Sequence, residues 1–259
     1  MTAASPGSAL VTGAGLRIGR AIALDLARAG WTVALHYNRS ADAAHAVVDE
    51  IAAGGGRAAA FAADFSDEAQ VEALVPRCAR ELGPLTCLVN NASLFENDSI
   101  GTATRALWDA HIEVNLRAPL VLIQAFARQL PEGAAGNVIN MIDQRVWNPG
   151  PGFLSYTVSK GGLWTLTRTL ALALAPRVRV NGIGPGPTLP SRRQTDAAFA
   201  AHCARLPLGR GTTPEEICDA VRFILAAPAM TGQMIALDGG EHLGDPGGQG
   251  PRHHGESQA

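Results

Sequence analysis

A glycine-rich turn between an apolar run and a helical segment constrains the fold of this chain more than any other stretch. The apolar run 9–11 leads into a turn that contains Gly13, Gly15 and Gly19, and residues 20–29 then have helical periodicity. Strand, glycine turn and helix in this order let backbone N–H groups approach a pyrophosphate at a helix N-terminus. The turn alone is a weak signal, because an ordinary connection between a strand and a helix can look the same.

The rest of the chain repeats this alternation of short apolar runs and helical segments. Strands are predicted at 31–36, 58–63, 85–89, 136–142, 177–183 and 233–237, and helices at 41–53, 68–82, 104–130 (with a break near Pro119), 155–175 and 214–227. Continuous apolar runs are typical of parallel strands that are buried on both faces. We therefore expect an α/β fold with a single Rossmann-type, doubly wound parallel sheet and helices on both faces. This domain is predicted to span residues 1–243, and the Gly- and Pro-rich residues 244–259 are predicted to be a disordered tail.

Charge and composition limit the classes of function. The 259 residues carry a formal net charge of −2 with no basic block, so neither nucleic acid nor a membrane surface is an expected partner. No apolar stretch reaches the roughly 18 residues of a membrane-spanning helix. The four cysteines have no metal-like spacing with histidine, so we expect reduced thiols and no metal site. A small-molecule substrate and a cytoplasmic location are the resulting expectations.

The residues after the second predicted strand indicate which dinucleotide could bind. The segment His36-Tyr37-Asn38-Arg39-Ser40 has no acidic residue, whereas an NAD site usually has one here to bind the ribose 2′-hydroxyl. An arginine beside a hydroxyl suits a 2′-phosphate, because a guanidinium pairs with phosphate oxygens. This pattern favours NADP(H), the alternative being a solvated arginine in a loop.

A tyrosine and a lysine four residues apart form a candidate proton donor. Tyr156 and Lys160 would lie on one face of a helix, and Asp143, thirteen residues before the tyrosine, ends the fifth predicted strand. An ammonium close to a phenol favours the phenolate, so we expect a Tyr156 pKa below its usual value of roughly 10. Asn115 is predicted to be either an exposed helical residue or an element that opens the backbone beside the site. Residues 189–208 have no clear periodicity and are predicted to be a mobile lid.

Several of these residues together resemble the short-chain dehydrogenase/reductase superfamily over residues 8–243. The shared features are the Thr-Gly turn, Asn90-Asn91-Ala92, Asn115, Tyr156-x-x-x-Lys160, Asn181 and Pro185-Gly186. The resemblance implies that Tyr156 is the general acid/base, that Lys160 binds the nicotinamide ribose and lowers the tyrosine pKa, and that Asn115 supports a proton relay. It also implies a homotetramer.

Two departures from the usual superfamily pattern resemble its pteridine reductase branch, which includes the dihydromonapterin reductases. Arg17 replaces the middle glycine of the turn, and Asp143 replaces the usual serine. The segment after the second predicted strand fits this branch too, as do Ser93 and Phe95, which correspond to residues that bind and stack a pterin. The resemblance therefore implies NADPH-dependent reduction of a pterin C=N bond.

The chemistry of Asp143 agrees with this interpretation. A carboxylate beside a developing alkoxide is repulsive unless it is protonated, whereas an imine nitrogen needs a proton that a carboxyl–tyrosine pair could supply. Asp143 could also be a structural carboxylate, Arg17 a plain phosphate contact, and Phe95 a core residue. The alternative functions are a general reductase of a ketone or 3-oxoacyl group and a non-catalytic NADPH-binding protein.

The predicted site residues fall into three sets. The catalytic set is Asp143, Tyr156, Lys160 and Asn115. The cofactor set is Gly13, Arg17, Ile18, Gly19, His36, Tyr37, Asn38, Arg39, Ser40, Asp64, Phe65, Asn91, Ala92, Ser93, Tyr156, Lys160, Pro185, Gly186 and Thr188. The substrate set is Arg17, Ser93, Phe95, Asp143 and Tyr156. Asp64 could accept from an adenine amino group, or Ser66 or Asp67 could simply cap the next helix, and Asn91 could be a turn residue.

Overall fold

Seven parallel strands form one sheet in a computed structural model of the chain, which describes residues 6–191 and 194–244. The strands are β1 (Ser8–Val11), β2 (Thr32–Tyr37), β3 (Ala58–Ala62), β4 (Leu85–Asn90), β5 (Gly136–Met141), β6 (Val178–Pro185) and β7 (Met234–Leu237). Their order is β3-β2-β1-β4-β5-β6-β7, and every neighbouring pair is parallel. The chain reverses its direction of winding between β1 and β4, so the predicted doubly wound sheet is confirmed.

Eight α-helices connect the strands within the described residues. They are α1 (Arg17–Arg28), α2 (Ala41–Ala53), α3 (Glu68–Leu82), α4 (Arg105–Ile112), α5 (Ala118–Gln129), α6 (Leu154–Leu174), α7 (Asp196–Cys203) and α8 (Pro214–Ala226). Helix α7 lies inside the segment 189–208 that was predicted as a lid without assigned structure. The predicted disordered tail lies outside the described residues, apart from Gly244.

Two apolar cores cover the two faces of the sheet. One contains buried residues of α3 and α5, among them Leu74, Leu122 and Phe126, together with Leu88 of β4. The other contains buried residues of α1 and α8, with Ile22 as an example. Because strands buried on both faces leave only their ends accessible, the functional groups collect at the carboxyl ends of the strands.

The predicted helix break near Pro119 is absent. Helix α4 instead continues into α5 through a π-helical segment, Glu113–Arg117, which contains the fully buried Asn115. Pro119 lies in the first turn of α5, directly after the π segment, so its missing N–H falls where the regular hydrogen-bond pattern of the helix is already interrupted. The π segment thus favours the second interpretation of Asn115, as a backbone-opening element.

Gly162 of α6, the helix that carries Tyr156 and Lys160, packs closely against this π segment. A Cβ atom at Gly162 would lie 2.8 Å from Cδ2 of Leu116, too close for any larger residue without a shift of the leucine. Packing within the chain therefore accounts for a glycine at position 162, whereas Gly161 faces open space. In the described parts of the chain, no helix is long and apolar enough to cross a membrane.

Candidate active site

The glycine turn after β1 leaves room for a ligand at the N-terminus of α1. Gly13 has a φ of +63°, and a Cβ at Gly19 would lie 2.2 Å from the carbonyl oxygen of Gly13. Within residues 6–191, the first turn of α1 has no side-chain cap. Open N–H groups and the positive end of the helix dipole suit a phosphate, so the turn fits a dinucleotide pyrophosphate.

Two residues predicted to bind the cofactor, His36 and Phe65, pack beneath this turn. His36 is buried, accepts a 3.1 Å hydrogen bond at Nδ1 from the Gly13 N–H, and has Nε2 3.0 Å from the carbonyl of Ala63. Its ring stacks on Phe65, which is also buried, with centroids 4.1 Å apart. Both rings are buried beneath the turn, and the cofactor-binding role of His36 and Phe65 stays a prediction. Burial lowers the pKa of His36 to about 4, so the ring is neutral.

Asn91 joins the ends of β1 and β4. Its side-chain amide donates to the carbonyls of Thr12 and Gly13 at 2.8 and 3.3 Å, and the Thr12 hydroxyl accepts from the N–H groups of Asn91 and Ala92. A Cβ at Gly19 would lie 2.5 Å from the amide nitrogen of Asn91, so this glycine is needed for the close approach. The structure gives the Asn91 side chain the turn-forming role that the sequence left open.

Arg17 connects the glycine turn to the beginning of the segment 189–208. Its guanidinium donates to the carbonyls of Leu189 and Pro190 at 3.1 and 2.8 Å. The φ of Arg17 is +54°, a conformation that disfavours residues other than glycine by about 1 kcal/mol and that explains why glycine is usual here. The predicted phosphate and pterin contacts of Arg17 would compete with these two hydrogen bonds.

The loop after β2 lies beside the same turn. A Cβ at Gly15 would lie 3.2 Å from Oγ of Ser40, the N-cap position of α2, where the Ser40 side chain makes no capping hydrogen bond. Arg39 is exposed and helps to lower the pKa of Asp64, after the larger effect of two hydrogen bonds from Ser66. Asp67 caps α3. Tyr37 is half-buried and Asn38 exposed, so this loop leaves a guanidinium and a hydroxyl available to a 2′-phosphate.

The structure brings Tyr156 and Asp143 into direct contact. The tyrosine hydroxyl donates to Oδ2 of Asp143 at 2.7 Å, and Oδ1 accepts from the N–H of Arg145 at 2.8 Å. Burial raises the pKa of Asp143. Burial also raises the pKa of Tyr156 well above its ordinary value, and the neighbouring carboxylate adds to this shift. The pair therefore holds its protons more firmly than either group would in water.

Lys160 does not act on Tyr156 as the sequence predicted. Its Nζ donates to the carbonyl of Met141 at 2.8 Å and lies 5.8 Å from the centroid of the tyrosine ring. Burial lowers the pKa of Lys160 to about 8, and Asp143 partly offsets that effect. The expected fall of the Tyr156 pKa is wrong for this structure, because burial and the adjacent carboxylate dominate over the more distant ammonium.

Asn115 joins the loop after β4 to α6. Its side-chain oxygen accepts from the N–H of Leu94 at 2.8 Å and from the hydroxyl of Ser93 at 3.2 Å, while its nitrogen donates to the carbonyl of Leu94 and to Ser159 Oγ. These four hydrogen bonds use the side chain fully. Ser93 is part of the same junction, and the role of Asn115 in a proton relay stays a prediction.

An aromatic stack borders the Tyr156–Asp143 pair. The ring of Phe95 is stacked on Phe153 with centroids 4.5 Å apart, and it meets Tyr156 edge-on at 4.7 Å. The guanidinium of Arg145 lies 4.9 Å from the centroid of Phe153. Phe95 is 40% exposed, so it is a surface platform and not a core residue. The sequence did not indicate Phe153 or Arg145.

The residues after β6 close the other side of the site. A Cβ at Gly186 would lie 2.7 Å from Cα of Asp238, and the Gly186 N–H donates to the carbonyl of Leu237 at 2.9 Å. The Thr188 hydroxyl donates to the carbonyl of Gly186 at 3.1 Å. Pro185 ends β6. This turn is therefore fixed against the end of β7, at the same edge of the sheet as the glycine turn.

Comparison with known proteins identifies the class that this fold and site define. Residues 8–199 match the short chain dehydrogenase family, so the chain belongs to that family of nicotinamide-dependent oxidoreductases. The predicted family and the predicted nicotinamide cofactor are thereby confirmed.

Particular relatives fall into two groups. The FolM alternative dihydrofolate reductase 1 of Brucella canis, solved with NADP, is 45% identical and superposes with a TM-score of 0.91, covering 98% of this chain and 99% of that one. The corresponding Brucella suis structure, also with NADP, is 49% identical with a TM-score of 0.89, covering 94% and 97%. The 3-oxoacyl-[acyl-carrier-protein] reductase of Synechocystis is 34% identical, covering 93% of this chain and 98% of that protein.

Proposed function

We propose that the protein is an NADPH-dependent reductase of the C=N bond in a pterin-like substrate of the dihydropterin or dihydrofolate type. The 2.7 Å hydrogen bond between the Tyr156 hydroxyl and Asp143 carries the proposal, because it pairs the proton donor with a second proton-holding group. The likeness to the two alternative dihydrofolate reductases supports it.

The residues at the carboxyl ends of β1 and β2 fit NADPH. The backbone of Gly13, Ile18 and Gly19 at the N-terminus of α1 would bind the pyrophosphate, and Arg39 and Ser40 would bind the 2′-phosphate. Across the site, Lys160 would bind the nicotinamide ribose. The NADP in the two similar Brucella structures supports this assignment. When bound, NADPH supplies the hydride that reduces the substrate carbon.

Tyr156 and Asp143 supply the accompanying proton. For the transfer, this hydrogen bond reverses: protonated Asp143 donates to the Tyr156 oxygen, and the Tyr156 hydroxyl gives its own proton to the substrate nitrogen. The raised pKa of Asp143 favours the protonated carboxyl that this transfer requires. The buried Lys160 ammonium stabilises the negative charge that passes through the pair, and Asp143 is then reprotonated from solvent.

Phe95 supplies a flat surface for the substrate beside the proton donor. Its edge-on contact with Tyr156 places the aromatic platform against the reacting hydroxyl. One face of its ring is covered by Phe153, so the substrate would use the remaining exposed surface or displace Phe153.

A 3-oxoacyl reductase is the second candidate, favoured by the similarity to the Synechocystis enzyme. Asp143 weighs against it only in its ionised form, because a carboxylate would repel a developing alkoxide whereas a protonated carboxyl would not.

The two functions are separated by initial rates of NADPH oxidation with a dihydropterin, dihydrofolate and a 3-oxoacyl thioester in parallel. We expect turnover of at least one of the first two and little turnover of the thioester. Turnover of the thioester alone would overturn the proposal. Tight NADPH binding without any turnover would favour a non-catalytic role.

A further inference from the structure

The helix that carries Tyr156 begins without a cap of its own. Helix α6 starts at Leu154, and its N-cap residue Phe153 has a φ of +56° and makes no side-chain capping bond. The first N–H groups of a helix have no partner within the helix, and leaving them unpaired in a buried place is costly. Ser155 at the second position of α6 is fully buried, so its N–H must find a partner nearby.

Asp98, from the loop after β4, supplies that partner. Its carboxylate accepts from the N–H of Ser155 at 3.1 and 3.4 Å and from the Ser155 hydroxyl at 2.6 Å. The backbone carbonyl of Asp98 accepts from the N–H of Leu154 at 3.3 Å, and the side chain of Asn97 accepts from the N–H of Phe153 at 3.1 Å. The loop therefore caps the helix from a part of the chain 57 residues away.

A buried carboxylate suits this position for an electrostatic reason. Asp98 is 1% exposed, and an ionised carboxylate is costly to bury unless it is hydrogen-bonded or compensated by positive charge. The N-terminus of α6 offers both, since its N–H groups donate and its dipole carries about half a positive charge there. An asparagine would accept fewer of these hydrogen bonds and would lose the charge.

The Ser155 hydroxyl extends this contact to α4. It lies 2.7 Å from Nδ1 of His111, and Nε2 of His111 accepts from the N–H of Glu96 at 3.2 Å. Because Nε2 accepts, the proton of the neutral ring is on Nδ1, and Ser155 accepts from His111 while it donates to Asp98. The first turn of α6 is therefore fixed to both the loop and α4.

We propose that Asp98 is a positioning residue for Tyr156, which follows Ser155 directly. The carboxylate fixes the first turn of α6 so that the tyrosine hydroxyl stays on Asp143 and beside Phe95. The same loop carries Phe95, so one short segment aligns the aromatic platform and the proton donor. The proposal rests on Tyr156 being the proton donor of the proposed function.

The kinetic test uses the variant Asp98→Asn. A second variant, Ser155→Ala, removes the hydroxyl that donates to Asp98 and replaces Asp98→Ala, which could fail to fold. A misaligned donor should lower kcat by about 10-fold, with the KM for NADPH within a factor of about two. On a Tyr156→Phe background, the same substitutions should cause no further loss of kcat. An unchanged kcat, or an equal loss on both backgrounds, would overturn the proposal.

Asp67→Asn is the matched control, since Asp67 caps α3 through the N–H groups of Ala69 and Gln70 and undergoes the same chemical change. It should lower the unfolding free energy while leaving kcat unchanged.

A second readout does not depend on the substrate. The chain has two tyrosines, so ring-labelled tyrosine observed by NMR in a Tyr37→Phe background reports Tyr156 alone. Asp98→Asn should shift that signal, and Asp67→Asn should not. If wild type turns over no pterin but the signal shifts, the proposed function fails and the positioning role stands. An unshifted signal overturns the positioning role alone.

Discussion

The Tyr156 hydroxyl donates a hydrogen bond to Oδ2 of Asp143 across 2.7 Å, and Tyr156 is buried while Asp143 is half-buried. In an ordinary short-chain reductase a serine would stand where Asp143 is, as the resemblance implies. The exchange replaces a hydroxyl, which can only share a proton, with a group that can give one up. In the proposed function, this pair delivers its proton to a ring nitrogen.

Asp143→Asn tests the proton-supplying role. Asparagine keeps the shape but cannot release a proton, so kcat for a dihydropterin should fall by about 100-fold. In wild type the protonated carboxyl is the active form, so kcat should fall as pH rises through the pKa of Asp143. Burial raises that pKa, which moves the fall upward from the ordinary aspartate range near 4.

The measurement is the pH profile of kcat for wild type, and the profile of Asp143→Asn is the control. In Asp143→Asn, kcat should no longer fall as pH rises, because the titrating carboxyl is absent. A wild-type kcat that increases over the same pH range would contradict protonated Asp143 as the active form.

Arg39→Ala tests the 2′-phosphate site. A bidentate charge-assisted contact with a phosphate is worth about 2 kcal/mol, so the KM for NADPH should rise roughly 10- to 100-fold while that for NADH changes little. Arg28→Ala, which removes an exposed guanidinium at the far end of α1, should change neither. Equal effects of Arg39→Ala on both cofactors would show that this arginine does not recognise the phosphate.

Arg17 is expected to help substrate binding through its contacts with Leu189 and Pro190, at the cost of a strained backbone. Its guanidinium binds the carbonyls of Leu189 and Pro190, and its φ is +54°. Arg17→Gly relieves the strain and should unfold with a free energy about 1 kcal/mol higher than Arg17→Ala. Both variants lose the hydrogen bonds to Leu189 and Pro190, so the KM for the substrate should rise in both.

Urea unfolding and steady-state kinetics measure these two effects separately. Arg17→Lys is the intermediate control, because a single ammonium keeps the charge but lacks the planar fork that reaches both carbonyls. A substrate KM that stays at the wild-type value in Arg17→Gly would refute the link.

His36 predicts an acid sensitivity of the fold. Its pKa is about 4 in the folded chain and about 6.5 when unfolded, so the unfolded state gains the proton first as pH falls. Stability is therefore lost progressively below about pH 6.5, and the loss from this group between pH 7 and pH 5 is about 2 kcal/mol. Denaturant unfolding at the two pH values checks this. His36→Gln should show a correspondingly smaller loss, and equal losses in both proteins would exclude His36 as the cause.

The fold could be predicted from the sequence because its signals are local. Alternating apolar runs and helical periods defined the strands, and α2 and α3 begin and end at the predicted residues. The π-helical segment around Asn115 could not be predicted, because that conformation is set by tertiary packing against Ser159 and Leu94 and has no propensity signal.

The site was predicted less completely than the fold, because its contacts join residues that are far apart in the sequence. Tyr156, Lys160 and Asp143 predicted proton-transfer chemistry by their residue types, but which of them touch could not be inferred from spacing. The structure puts the carboxylate, not the ammonium, on the tyrosine hydroxyl, which reverses the expected pKa shift. Asp98 carried no signal at all, since its partner Ser155 is far away in the sequence.

A competition assay between the two substrate classes distinguishes pterin reduction from ketone reduction. Wild-type protein and NADPH are incubated with equal concentrations of a dihydropterin and a 3-oxoacyl thioester, and both products are quantified. The proton-donor pair of Tyr156 and Asp143 predicts that the tetrahydropterin is the main product. A main product of 3-hydroxyacyl thioester would contradict it and assign the protein to ketone reduction.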